Sequence, residues 1–242
     1  MGLFAMIKNV TAARASAITA GAPVKPAHTA VPMGLHQGSA VELPALDLAL
    51  AQADGSILPN VTEHQTITAV GKMRLFGLDV FHSYLADGTS FLRVVADGYT
   101  VKEVSLFTNR DEIIPATAED WEFWLGKYQA TETGSALVEA GLIGWPQFQI
   151  DGAPPIIYNR TWSPFSEGIE PVSFQETIMG LDGTSFVVNH EGMEYSRNLT
   201  ADANGTTESL LVSLAQTTDT ASVNIYVGVS INVKELKVLA AG

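Results

Sequence analysis

The chain has 242 residues, 46% of them hydrophobic and none of them cysteine, with a formal net charge of −13. A chain of this size buries roughly 70–75% of its unfolded surface without covalent staples, and the lack of cysteine excludes disulfides, thiolate metal sites and cysteine nucleophiles. Lys8, Arg14 and Lys25 are the only charged residues before Glu42, so residues 1–41 carry +3 and residues 42–242 carry −16, a body that repels nucleic-acid phosphates and anionic lipid.

Residues 1–30 form a basic leader rich in Ala, Thr and Val, with Pro23 and Pro26 and no acidic residue. Its apolar opening, Gly2 to Ile7, is too short to span a bilayer and lacks the basic flank of a secretory signal. Three roles stay open for it: a flexible leader, a peripheral membrane anchor, or a cleaved targeting peptide. The absence of cysteine suits a reducing cytoplasm, with contact at the inner membrane as the anchor alternative, and is equally compatible with a periplasm.

Residues 31–242 are expected to make a single domain. Leu43 to Leu50 suggests a short helix or turn closed by Asp54-Gly55. Strands are expected over Thr66–Leu75, Leu78–Leu85, Ser90–Val95 and Val101–Phe107, with Asp87-Gly88 as a hairpin turn, because both residues accept a positive φ. After Pro115, Thr117 and Asp120 make a capping box, Trp121, Trp124 and Leu125 fall on one face, and Gly126 ends the helix. The two tryptophans are expected to cover the sheet rather than hold a ligand. A second helix is expected over Ser135–Ala140.

Strands resume at Gln147–Ile150, Ile156–Trp162, Val172–Met179, Ser185–His190 and Ser209–Leu214. Val223, Ile225, Val227, Val229 and Ile231 alternate with Asn224, Tyr226, Gly228 and Ser230, the pattern of a half-buried strand. Asn232 and Glu235 suggest a cap for a closing helix, Val233–Leu239. The expected fold class is therefore α+β, mainly antiparallel sheet with a few short helices. Asp87-Gly88-Thr89-Ser90-Phe91 recurs as Asp182-Gly183-Thr184-Ser185-Phe186. The echo leaves open two similar halves, 31–126 and 141–242, beside two unrelated hairpins.

Phosphate-loop, dinucleotide, nucleophile-elbow and zinc-helix signatures are all missing from the sequence. His28, His36, His64, His82 and His190 lack metal-ligand spacing, so neither a metal nor a cofactor is expected. His82, among apolar residues in a strand, reads as a hydrogen-bonded structural histidine. Asn-x-Thr sequons at Asn9, Asn60, Asn159, Asn198 and Asn204 carry little meaning without a signal peptide. The most chemical grouping is Arg160, Glu170, Tyr195 and Arg197, with Glu194 beside it. Two arginines and a glutamate near strands suit a buried ion pair, an anion pocket, or a solvent-facing alternation.

Several segments together resemble the YjfK-like family of bacterial proteins of unknown function. They run from Pro32-Met33-Gly34-Leu35 and Ala69-Val70-Gly71 through the Asp87-Gly88 hairpin, Ile143-Gly144-Trp145-Pro146 and Arg160-Thr161-Trp162. They continue in Gly168-Ile169-Glu170-Pro171-Val172, Tyr195-Ser196-Arg197, Leu210-Leu211-Val212 and Val227-Gly228-Val229-Ser230-Ile231, covering about residues 32–239. The Ala/Thr-rich leader departs from the short basic, apolar N-terminus of that family. The resemblance implies no catalytic residues. It implies a setting in bacterial gene clusters with a phage-shock-protein-A-like membrane-remodelling protein, and so an accessory, protein-binding role in membrane maintenance or envelope stress. The competing expectation is an enzyme or small-anion binder using an Arg/Glu pocket.

Overall fold

The computed structural model describes residues 30–126, 141–150, 155–162, 169–200 and 206–239. A 3-10 turn at Pro32–Gly34 leads into β1 (Ala40–Glu42), helix α1 (Ala45–Ala53), β2 (His64–Leu75), β3 (Leu78–Leu85), β4 (Ser90–Asp97) and β5 (Thr100–Ile113). Helix α2 (Ala118–Leu125) follows, then β6 (Gln147–Ile150), β7 (Ile156–Arg160), β8 (Val172–Gly180), β9 (Ser185–Asn198), β10 (Thr207–Gln216), β11 (Ala221–Ser230) and β12 (Lys237–Leu239).

The expected α+β arrangement is overturned. The strands β2-β3-β4-β5-β11-β10-β9-β8 pair antiparallel in that order, and β8 pairs back onto β2, so eight strands close into a barrel. Only α1 and α2 are α-helical among the described residues. The physical reason is edge satisfaction: a meander of β2 to β5 leaves two open edges, and β8 and β11 pair with them. Two four-stranded meanders result, joined at β5–β11 and at β2–β8. The two Asp-Gly turns are alike, each aspartate accepting from backbone N–H groups just after it. They occupy different places, the second turn of one meander (β3–β4) and the first of the other (β8–β9).

Pleating sends alternate residues to the two faces of the barrel wall. Val70, Phe81, Leu92, Leu106, Met193, Val212 and Val227 face outward, yet all are buried. Leu35, Val41, Leu43, Leu48 and Leu58 of the N-terminal arm, Trp124 of α2, and Phe148 and Tyr158 of β6 and β7 belong to the same apolar cluster. The wall is thus wrapped by the chain's own segments. Ala69, Tyr84, Phe91, Phe107, Ile178, Leu211 and Tyr226 form a second, smaller cluster inside the lumen.

The capping box of α2 forms as expected, Asp120 N–H donating to the Thr117 hydroxyl and Thr117 N–H to the Asp120 carboxylate. Trp121 and Trp124 both pack into the outer cluster. Two local expectations fail for tertiary reasons. Strand β11 is buried on both faces rather than half-buried, because its polar column, Asn224 and Tyr226, points into the lumen instead of water. The closing helix at Val233–Leu239 is instead a turn followed by β12. Lys234 N–H donates to the Asn232 side chain and Glu235 N–H to its carbonyl, after which Lys237–Leu239 pairs with β1. The expected leader and the helix at Ser135–Ala140 lie outside the described residues.

Candidate functional site

Inward-facing side chains divide the lumen into a tightly packed floor and an open mouth, and His190 and Phe174 of the floor also border a cavity of about 420 Å³ on their far side. At the floor, Glu176 of β8 has no solvent exposure. Its Oε1 lies 3.2 Å from His82 Nδ1 on β3 and accepts a 2.9 Å hydrogen bond from the Tyr84 hydroxyl. Its Oε2 lies 3.2 Å from His190 Nε2 on β9, without hydrogen-bond alignment, while His190 Nδ1 is 3.0 Å from the Ser213 hydroxyl. The His190 ring stacks on Phe174 with centroids 4.8 Å apart. Burial would raise the Glu176 carboxyl, but the two imidazoles outweigh it and hold the group well below the usual carboxylate range. Burial next to this carboxylate also drives the Tyr84 phenol well up. The carboxylate fits because β2 carries Gly71 opposite: a Cβ there would stand 1.6 Å from Glu176 Oε1. The void among these groups is about 10 Å³, too small for a substrate and marginal for one water.

Toward the mouth, Arg93 of β4 reaches across the barrel to Glu194 of β9 in a bidentate pair of 2.7 and 3.0 Å. Its Nη2 also donates to Glu103 Oε1 at 2.9 Å, and Ser105 donates to the same oxygen at 2.6 Å. The guanidinium lies 4.6 Å over the Phe107 ring. Burial opposes the charge on Arg93, but Glu194 and Glu103 overcome this and keep it protonated. Burial likewise works against Glu103, yet Arg93 and Ser105 hold its carboxyl below the usual range. Trp162 Nε1 donates to Glu194 Oε2 at 2.9 Å, and the indole meets Phe76 edge-on with centroids 5.6 Å apart. Between them is a cavity of about 230 Å³ lined by these groups and by Leu75, Val80 and Val95.

The four residues singled out from sequence occupy other places. Arg160 and Tyr195 are register partners on β7 and β9, and both clamp one loop. The Arg160 guanidinium donates to the Gly144 carbonyl at 2.6 Å, while the Tyr195 hydroxyl donates to the Leu142 carbonyl and accepts from Gly144 N–H. Burial pushes the Tyr195 phenol up to about 12. Arg197 lies on the outer side of β9 and pairs at 2.7 Å with Glu208, which is fully buried and also accepts from Tyr158, Ser56 and Ile57 N–H. Glu170 is exposed on the approach to β8 and takes no part in either arrangement.

The residues that do converge, His82, Arg93, Glu176, His190 and Glu194, carried a legible signal in three cases. Arg93, Glu176 and His82 each have large apolar neighbours two positions away on both sides, Phe91 and Val95, Phe174 and Ile178, Val80 and Tyr84. An apolar column interrupted by one charge marks a charge facing inward.

Residues 7–237 match the family described as protein of unknown function, DUF2491. The chain belongs to that family. No curated protein and no solved structure matches it. The DUF2491 match begins at residue 7, so it takes in most of the segment set apart above as a leader. Among the described residues of this DUF2491 chain, no helix is long and apolar enough to cross a membrane, and no three His, Cys, Asp or Glu side chains are grouped to hold a metal ion.

Proposed function

We propose that this DUF2491 protein is a binding protein without catalysis of its own, using its acidic body to dock on a basic surface of a partner. The observation that carries this reading is the burial of the floor's carboxylate, Glu176, which has no solvent exposure. Glu176, His82 and Tyr84 face a void of about 10 Å³, and of this grouping only His190 borders a larger cavity, whereas general acid–base work requires hydrogen-bond reach to a substrate. The −16 charge of residues 42–242 steers basic partners at long range. The YjfK-like resemblance supplies a candidate, a phage-shock-protein-A-like membrane-remodelling protein in a bacterial envelope-stress or membrane-maintenance system, with a cytoplasmic setting at the inner membrane.

Co-purification from the native host, followed by association kinetics at increasing salt, tests this. Exposed charges are screened beyond about 8–10 Å at physiological ionic strength, so the association rate falls clearly with salt while dissociation changes less. Recovery of the protein alone, or a salt-independent association rate, counts against docking. Turnover of a specific substrate, or a small anion that raises the melting temperature of the wild type, favours the enzyme or anion-binder alternative.

A further inference from the structure

The mouth differs from the floor in being open, apolar on its walls and negative at its base. Arg93 offers little to an anion, since Glu194 and Glu103 already occupy the end of its guanidinium and Phe107 lies against it. One cation set between two carboxylates leaves the triad one negative charge in excess. Glu103 is the accessible member, its side chain 42% exposed against 9% for Glu194. Arg74, on the β2–β3 hairpin, donates to the Gly77 carbonyl.

Phe76 supplies an independent observation. Leu75 and Leu78 pair across a two-residue turn in which Phe76 has φ 51° and Gly77 φ 82°. Turns with both central residues at positive φ favour Asn-Gly, and a bulky side chain there is a genuine outlier. Phe76 is nevertheless 62% exposed, its ring meeting Trp162 at the rim of the cavity. A strained residue that gains so little burial points to a task at that spot.

We propose that this mouth binds an alkylammonium group, its stem against the paired rings of Phe76 and Trp162 and its charge toward Glu103 and Glu194. The cavity, at about 230 Å³, is below the usual range for drug-sized ligands of about 300–1,000 Å³ and suits one short aliphatic amine. Two sources present this chemistry, a free organic amine and a lysine side chain of the docked partner. The proposal rests on the binding-protein reading but not on which partner is docked.

The test is calorimetric titration of the full chain with N-acetyl-lysine methylamide, beside the same compound acetylated at Nζ and beside butyrate. The lysine compound binds, and the other two do not. Phe76→Asn weakens binding about 4- to 15-fold, the loss of the apolar wall over one or two methylenes of the stem, while raising the melting temperature because Asn accepts the turn's positive φ. Glu103→Gln weakens it about two- to fivefold, as for a half-exposed charge. Equal binding of the blocked compound, preference for butyrate, or no binding of the lysine compound overturns the proposal. Partner docking, measured separately, assigns the source. If docking weakens in Phe76→Asn and Glu103→Gln, the ammonium is the partner's lysine; if docking is unchanged, it is a free amine. Loss of docking in the wild type with retained binding of the lysine compound defeats only the partner reading.

Discussion

Gly71→Ala is the most direct probe of the barrel floor. The added Cβ would lie 1.6 Å from Glu176 Oε1 and 2.6 Å from its Cδ, so the carboxylate must leave its place. It has nowhere to go, with His82, His190 and Tyr84 around it and a void of about 10 Å³. Displacement separates Glu176 from the Tyr84 hydroxyl and from His82, and removing a partner from a buried charge is expected to destabilise by about 3–5 kcal/mol. At about 2–4 °C per kcal/mol for a chain of this size, the melting temperature falls by roughly 6–20 °C. Urea unfolding followed by tryptophan fluorescence measures it, in the wild-type and Glu176→Ala backgrounds. With the carboxylate gone, Gly71→Ala is neutral or stabilising by up to about 1 kcal/mol, since glycine in a strand carries an entropic penalty. A Gly71→Ala protein within about 0.5 kcal/mol of wild type, or the same loss in both backgrounds, refutes the placement of Glu176 over Gly71.

Gly228→Ala makes a parallel clash, its Cβ falling 2.5 Å from the Phe107 ring. Overpacking of this kind destabilises by about 1–3 kcal/mol, readable in the same unfolding assay and relieved by Phe107→Leu. Arg197→Met leaves the buried Glu208 charge without its cation, and Arg197 is only partly exposed, so a loss of about 2–4 kcal/mol is expected, whereas the exposed Glu170→Gln stays within about 0.5 kcal/mol. The Glu176 carboxyl titrates below its unfolded value, so its contribution is present above about pH 4.3 and is lost as pH falls through the folded pKa. Acid unfolding of wild type therefore steepens below about pH 4.3, and Glu176→Gln flattens that limb. Hydrogen exchange on Glu176→Gln should show amides of residues 69–72 and 177–180 losing protection before those of β10 and β11.

What was legible in the sequence was local. Leu78–Leu85 has the same bounds in the structure as in the pattern, and a hairpin does turn at Asp87-Gly88, because the partners lie within a few residues of each other, although the connection is four residues long and Gly88 but not Asp87 takes a positive φ. Thr117 and Asp120 cap α2 for the same reason. Barrel closure was not legible, since β2 pairs with β8 and β5 with β11 across more than a hundred residues, and a hairpin pattern does not encode which distant edge it meets. Inside and outside were confused at β11 because polar residues facing a lumen alternate just as those facing water do. Arg160, Tyr195 and Arg197 are close in the fold but serve different partners. Arg160 and Tyr195 reach backbone groups of a loop some distance away in sequence, and Arg197 reaches Glu208 on the neighbouring strand.

The floor and the mouth use the same residue types to opposite ends. Buried ionic groups can often be replaced by apolar ones at no loss of stability, so stability alone does not account for a fully buried Glu176. Position does. The β2–β8 seam runs only from Ala69–Gly180 to Lys72–Thr177, the shortest ladder in the barrel, and Glu176 stands just past its end. From there its carboxylate reaches His190 on the neighbouring β9 and, past β2, Tyr84 and His82 on β3, tying the closing strand to both sides of the seam where backbone pairing with β2 has stopped. At the mouth, Arg93 and Glu194 make the same kind of cross-barrel tie, but Glu103 and Trp162 leave that end open to a cavity. A lock needs complete burial and a binding site needs access, and the lumen provides each at a different depth.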